Sequence, residues 1–384
     1  MAEGTDTTST AATAGTATGE TARNRSPRGL GGVGRWSIAV AVVAALILLA
    51  SVTPSPYAIE RPGPVVDAFG EMASETGEAT PVVRIRGAET YPTSGAMNVL
   101  SVSINGTPDR PADWLSVVGT LFDPTRTAVS LSSLYPEGLT AEERAEQNAA
   151  MMKASQAAAT AAALRRLGEP VDERLSVAGV ATDGPADGKL RAGDVIRTAD
   201  GVEVGGLSEL REIVGSAQQG RAVRLGIERD GAEQEQSVVP ETADDGSRLL
   251  GITVGEEFSF PFDVSLDLDD IGGPSAGLVF ALAVYDKLTP GALTGGERIS
   301  GTGTIDADGM VGPIGGLPQK IWGAAGAGST LMLMPRDNCA DLPDRLPEGM
   351  RIVPVSTFGE AIAAVEEAAA AGPDGAERAQ APCQ

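Results

Sequence analysis

Two residues 45 positions apart, Ser275 and Lys320, could together perform nucleophilic chemistry. Ser275 lies in Asp270-Ile271-Gly272-Gly273-Pro274-Ser275-Ala276-Gly277, and Lys320 closes Gly312-Pro313-Ile314-Gly315-Gly316-Leu317-Pro318-Gln319-Lys320. Pro274 suits the first position of a helix, where a missing N–H is no loss. Ser275 is therefore expected in the first turn of a buried helix running to about Leu288. Unpaired N–H groups and the positive dipole end at such a start can stabilise an oxyanion. Gly272, Gly273 and Ala276 form the expected oxyanion and substrate loop, the glycines allowing a substrate backbone to approach. Leu317, Ile321 and Ile314 give Lys320 an apolar setting, and a desolvated lysine offers a neutral amine as base toward a serine hydroxyl. Each residue also has a plain structural reading: a helix cap for Ser275, an exposed helix lysine for Lys320.

Composition narrows the chemistry. The 384 residues include no histidine, which excludes Ser-His-Asp and Cys-His mechanisms and every His-ligated zinc site. Cys339 and Cys383 are too few for a metal cage, and they could form one bridge outside the cytoplasm or stay unpaired. No metal and no other cofactor is expected. A net charge of −23 argues against nucleic acid or an anionic membrane surface as the main partner and serves solubility. The glycine-rich turns are not nucleotide cradles. Gly184 to Lys189 is one residue short of a P-loop and lacks its hydroxyl residue.

The length suggests two or three domains. Residues 1–35, rich in Thr, Ala, Gly and Ser, read as a disordered cytoplasmic leader. The uncharged run Trp36 to Val52 reads as a transmembrane anchor over 36–53, barely long enough for a hydrocarbon core of ~30 Å. Arg23, Arg25, Arg28 and Arg35 precede it and place the N-terminus inside the cell, with the rest outside. A cleaved signal peptide would have a shorter apolar run and a small-residue cleavage site.

Residues 54–168 are expected to hold the strand Ile59 to Pro64, a pair formed by Val82 to Ile85 with Met97 to Ile104, and the Asp113-capped helix Trp114 to Leu121. Thr140 and Glu143 form a capping box for an Ala-rich helix ending at Leu167, closed by Gly168 and Pro170. Residues 169–240 give the strand Leu175 to Val180, the signature Leu190-Arg191-Ala192-Gly193-Asp194-Val195-Ile196, the helix Leu207 to Val214, and two further strands. This order resembles a PDZ domain of the bacterial, permuted kind. The resemblance implies an extended peptide bound as an added strand between Val177, Ala178, Gly179 and Val180 and the helix bearing Leu207, Leu210 and Val214. An unused spacer is the alternative.

Residues 249–366 carry a second resemblance. Gly273-Pro274-Ser275-Ala276-Gly277, Thr302-Gly303, Gly309-x-Val311-x-Pro313-Ile314-Gly315-Gly316-Leu317-x-x-Lys320 and Met334-Pro335-Arg336-Asp337-Asn338 resemble the proteolytic domain of Lon (endopeptidase La). The resemblance implies Ser275 as nucleophile, Lys320 as general base, Thr302 orienting the amine, and a tendency to form homo-oligomeric rings. Many such proteins have an acidic residue three positions before the serine, where this sequence has Gly272. The whole layout resembles the membrane-anchored Lon-like proteases of Gram-positive bacteria, which lack the ATPase module. The implied architecture is α+β: a transmembrane helix, a β-rich PDZ domain and an α+β proteolytic domain, with residues 367–384 as a disordered tail. The implied activity is ATP-independent hydrolysis of extracytoplasmic polypeptide substrates at the bacterial cytoplasmic membrane. A catalytically silent anchored PDZ scaffold is the rival reading.

Overall fold

In the computed structural model, residues 35–73, 79–136, 140–244, 246–266, 272–372 and 383 are described. Residues 1–34 of the expected leader, most of the expected tail, and Asp270 and Ile271 lie outside these residues. The chain divides into two units, Met1–Leu49 and Ala50–Gln384. Helix α1 (Arg35–Val52) is almost wholly apolar, and its large side chains from Trp36 to Val52 are exposed. Its 18 residues reach ~27 Å at ~1.5 Å per residue, short of a ~30 Å hydrocarbon core. No helix among the described residues is long and apolar enough to cross a membrane. The expected transmembrane span is thus corrected to an apolar helix that falls just short.

The second unit begins with β1 (Tyr57–Asp67), a hairpin of β2 (Glu71–Ala73) and β3 (Ala79–Pro81), then β4 (Val83–Arg86) and β5 (Ala96–Asn105). Next come α2 (Trp114–Gly119) with a 3-10 turn at Thr120–Phe122, β6 (Thr127–Ser130), α3 (Leu131–Leu134) and α4 (Ala141–Leu167). The expected capping box forms at Thr140 and Glu143, and Gly168 ends α4 with φ 78°. Five consecutive buried residues open β5, Ala96 to Leu100, the mark of a strand covered on both faces.

A separate sheet follows from β7 (Asp172–Val180), β8 (Val195–Ala199), β9 (Val202–Glu203), α5 (Leu207–Ser216), β10 (Val223–Arg229), β11 (Ala232–Val238), β12 (Glu241–Thr242), β13 (Arg248–Leu249) and β14 (Ile252–Ser259). Its strand order is β11-β10-β8-β7-β14, and it has its own core around Leu175, Ile196, Leu210 and Leu225.

The chain then returns with β15 (Asp263–Leu266), α6 (Gly277–Leu288), β16 (Arg298–Gly301), β17 (Thr304–Ile305), β18 (Val311–Gly312), α7 (Leu317–Gly326), β19 (Leu331–Pro335), β20 (Arg351–Val355) and α8 (Phe358–Ala371). The main sheet runs β20-β19-β16-β5-β1-β6, parallel from β20 to β5 and antiparallel beyond. Strand periodicity divides its side chains. Leu331 and Leu333 pack with α6 and α8, while Met332 and Met334 pack with Leu317 and Ile321 of α7. The expected pairing of Val82 to Ile85 with Met97 to Ile104 does not form. β4 pairs with β15, because β5 is flanked by β1 and β16. Helix α8 continues to Ala371, inside the stretch expected as tail, and Cys339 is disulfide-bonded to Cys383.

Candidate active site

Ser275 lies in a 3-10 turn, Pro274–Ala276, that immediately precedes α6. Gly273 enters the turn at φ 92°, a conformation that favours glycine. The turn is clamped from behind. A Cβ on Gly277 would stand 2.6 Å from Ser155 Oγ of α4, and Ser155 Oγ donates to Pro274 O at 2.9 Å. The Ser275 carbonyl accepts from Gly303 N at 2.9 Å and from Thr302 Oγ1 at 3.1 Å. The backbone is pinned, while the Ser275 hydroxyl makes no hydrogen bond among the described residues. Catalytic contacts of this kind commonly tighten only when substrate is bound.

Lys320 occupies the first turn of α7, which Gly316 opens at φ 67° against Val102 of β5. It is 3% exposed, so the exposed-lysine reading fails. Its Nζ donates to Thr302 Oγ1 at 3.1 Å, which places Thr302 where the resemblance expected an orienting residue. Burial brings its pKa down from 10.5 to about 8, against an upward pull from the Glu60 carboxylate. Burial in turn raises the Glu60 pKa, opposed by Lys320 and Arg144.

Ser275 and Lys320 face one cleft of about 810 Å³, whose lining includes Gly272, Ala276, Glu60 and Arg144. The parallel partner β16 stops opposite Val99, and Leu100 to Ile104 of β5 line the cleft beyond it. Glu60 and Arg144 were missed in the sequence. The available signal was an acid at the end of the apolar run Tyr57 to Ile59, since a carboxylate inside such a strand needs a partner.

The structure accounts for Gly272. A Cβ there would lie 2.9 Å from the Cβ of Asn148 on α4, so an acidic side chain at this position would require α4 or the turn itself to shift. The expected oxyanion loop is also narrower than expected. Gly273 N already donates to Asn148 O at 3.1 Å, leaving Gly272 and Ala276 beside the cleft.

The expected peptide groove needs correction. Val177, Gly179 and Val180 of β7 are paired to Val254, Thr253 and Ile252 of β14, and Ala178 sits at the intervening irregularity. Leu210 and Val214 are buried in the PDZ core, with Leu207 packed against it. The edge strand beside α5 is β14: Leu250 is buried with Leu210 and Val214, and Arg211 of α5 interacts with Glu256. The sequence signal was Leu249-Leu250-Gly251-Ile252, an apolar run turning at Gly251 (φ 71°) into a strand. The PDZ unit touches the catalytic unit near this site. Arg165 of α4 pairs with Glu173 of β7 at 2.6 Å and with Asp308, in the β17–β18 turn, at 2.9 Å. Ser208 of α5 also bonds Asp308.

A serine and a buried lysine thus line one cleft on an α+β frame. Residues 158–239 match the PDZ domain family, and residues 270–367 match the Lon protease C-terminal proteolytic domain. The Lon protease of Azospirillum brasilense is 28% identical over 183 residues, covering 46% of this chain and 22% of that one. That of Rhizobium meliloti is 38% identical over 94 residues, covering 24% and 11%. Lon protease 1 of Bacillus subtilis is 38% identical over 93 residues, covering 23% and 12%. The chain thus spans less than a quarter of the length of these relatives.

Proposed function

We propose that this chain is a serine endopeptidase in which Ser275 and Lys320 cut polypeptides extended in the cleft. The observation that carries the reading is Lys320: buried, aimed by Thr302, with a pKa lowered to about 8, on the same cleft as Ser275. The neutral Lys320 amine takes the Ser275 Oγ proton as Oγ bonds to the scissile carbonyl carbon. The resulting ammonium gives that proton to the departing amine as the C–N bond breaks. Water then attacks the ester, Lys320 again accepting the proton, and releases the acid product with Ser275 restored. An extended substrate would pair with the strand edge at Leu100 to Ile104.

The sequence has no P-loop, so we assign no ATP-driven unfolding to this chain, and its substrates are peptides, loops or unfolded segments. The PDZ unit presents them through the β14–α5 edge. We further propose membrane attachment through α1, supported by its exposed apolar surface and the arginines before it. The Cys339–Cys383 bond supports a location for the protease outside the cytoplasm.

The test is peptide hydrolysis by Ser275→Ala and Lys320→Met in folded protein, with covalent labelling of Ser275 by an electrophilic serine probe. Both variants should lose hydrolysis by on the order of 10⁴-fold or more. Full activity in either removes the dyad, and an unlabelled Ser275 favours the silent scaffold.

A further inference from the structure

A second apolar surface sits where the chain leaves α1. The run Trp114 to Phe122 contains no charged residue, and none of its residues is buried. Leu121 is 80% exposed and Phe122 84%, the highest values for large apolar side chains among the described residues beyond α1. Trp114, Leu115 and Val118 are exposed in the same run. Elsewhere in the second unit exposed large apolar side chains, such as Val202 and Met310, occur singly. Single ones are ordinary, whereas five within nine residues form a patch that calls for a partner.

This patch is built rather than frayed. Asp113 caps α2 by accepting from Ser116 N at 2.9 Å, and its other oxygen accepts from Ser116 Oγ at 2.7 Å. Asp123 closes the run by accepting from Thr125 N at 3.0 Å and pairing with Arg126 at 2.9 Å. The flanking carboxylates are thereby satisfied within the protein. The patch is also tied to the residues that follow α1. Trp114 N donates to Thr53 O at 3.3 Å, Pro54 and Asp113 form a β-bridge, and Ser55 N donates to Ala112 O at 2.8 Å. The Trp114 ring meets Tyr57 edge-on at 6.0 Å.

We infer that Trp114 to Phe122 enters the interfacial layer of a lipid bilayer, as a second contact in addition to α1. The inference rests on the proposed attachment through α1. A partner for this run must accept apolar side chains and an aromatic girdle without offering charge, at the place where the chain emerges from its apolar helix. The headgroup–acyl boundary does so. The consequence is positional. Glu60 in the cleft wall lies only seven positions after Thr53, at most ~25 Å of extended chain, so the cleft is held close to the bilayer. Substrate segments would then be those near the membrane surface.

The test uses the full chain in phosphatidylcholine vesicles with a nitroxide on Phe122→Cys, and Val202→Cys as the aqueous control. The native cysteines are bonded to one another, so only the introduced thiol is labelled. The label at 122 should collide more with oxygen than with a water-soluble nickel chelate, and the label at 202 the reverse, a several-fold difference in ratio. Nickel accessibility at 122 overturns the inference. Shielding from both reagents also overturns it and indicates a second copy of the chain instead. A chain that fails to float with the vesicles overturns attachment through α1 and this inference with it, whereas flotation with residue 122 in water overturns this inference alone.

Discussion

The Lys320 amine lies 3.1 Å from Thr302 Oγ1, and that hydroxyl in turn donates to the carbonyl of Ser275 at 3.1 Å. One threonine therefore sets both the direction of the Lys320 amine and the position of the Ser275 backbone. Thr302 stands between β16, whose last residue Gly301 pairs with Val99, and the Gly303 amide that also holds Ser275. Thr302 lies in the two-residue link between β16 and β17, and its own N–H ties that link to the sheet by donating to Leu333 O at 3.0 Å.

Lys320 should govern the pH dependence of both activity and stability. Its neutral form is the base, so kcat/KM should rise with pH through about 8. Folding lowers its pKa from 10.5 to about 8. Between those values the unfolded chain keeps a proton that the folded chain has released, so stability should rise with pH across that window. Below about 8 both states are protonated and the full penalty, about 3 kcal/mol, applies. Lys320→Met should therefore be inactive yet more stable at pH 7, by up to about 3 kcal/mol in urea unfolding. It should also lack the rise above pH 8. A Lys320→Met protein less stable than the parent would contradict the buried, costly ammonium.

Thr302→Val keeps the shape and removes the hydroxyl. Ser275 O retains its bond from Gly303 N, so the turn should hold while the amine loses its aim. We expect kcat to fall on the order of 10- to 100-fold with KM nearly unchanged, since misaimed groups cost rate rather than ground-state binding. Steady-state kinetics on one peptide substrate separate the two. A change confined to KM would place Thr302 in substrate binding instead.

Glu60 pulls the pKa of Lys320 upward, so Glu60→Gln should release the proton more easily. The acid limb of the kcat/KM profile should move to lower pH, giving several-fold more of the plateau activity at pH 7. Arg144 also faces Glu60 and would lose its counter-charge, so the paired control is Arg144→Gln. With Arg144 gone, Glu60 should take a proton more readily. An unmoved limb in Glu60→Gln would show that the two groups do not communicate.

Some of this arrangement was legible in the residues, and the illegible part has physical causes. Pro274 after two glycines marks a helix start, and Leu317, Ile321 and Ala324 show the buried stripe of α7, with Lys320 next to it. That Lys320 itself is sealed depends on β1 and β5, which pack over that helix from more than 200 residues earlier. Gly272 reads in the sequence as a missing carboxylate, and the side chain that crowds it, Asn148 of α4, is remote in the chain. The pairing of β4 with β15 joins segments about 180 residues apart, and local alternation carries no information about such a partner. The apolar run of α1 was plain to read, but its helix stops short of a full span.

The edge of the PDZ sheet supplies the last prediction. A strand already paired on its outer side has no free N–H or C=O row to offer, and β7 is paired to β14 from Val180 to Asp172. An added peptide strand must therefore use β14, beside α5, with Gly251 at its head. Amide hydrogen exchange of the full chain should slow on peptide binding across Ile252 to Ser259 and in α5, while the amides of Val177 to Val180 stay as they were. The catalytic variant Ser275→Ala keeps the peptide intact during the measurement. Protection that appears on β7 instead would require β14 to detach from it. A readout of that kind would restore the groove drawn from the sequence and make β14 an occupant of the groove rather than its wall.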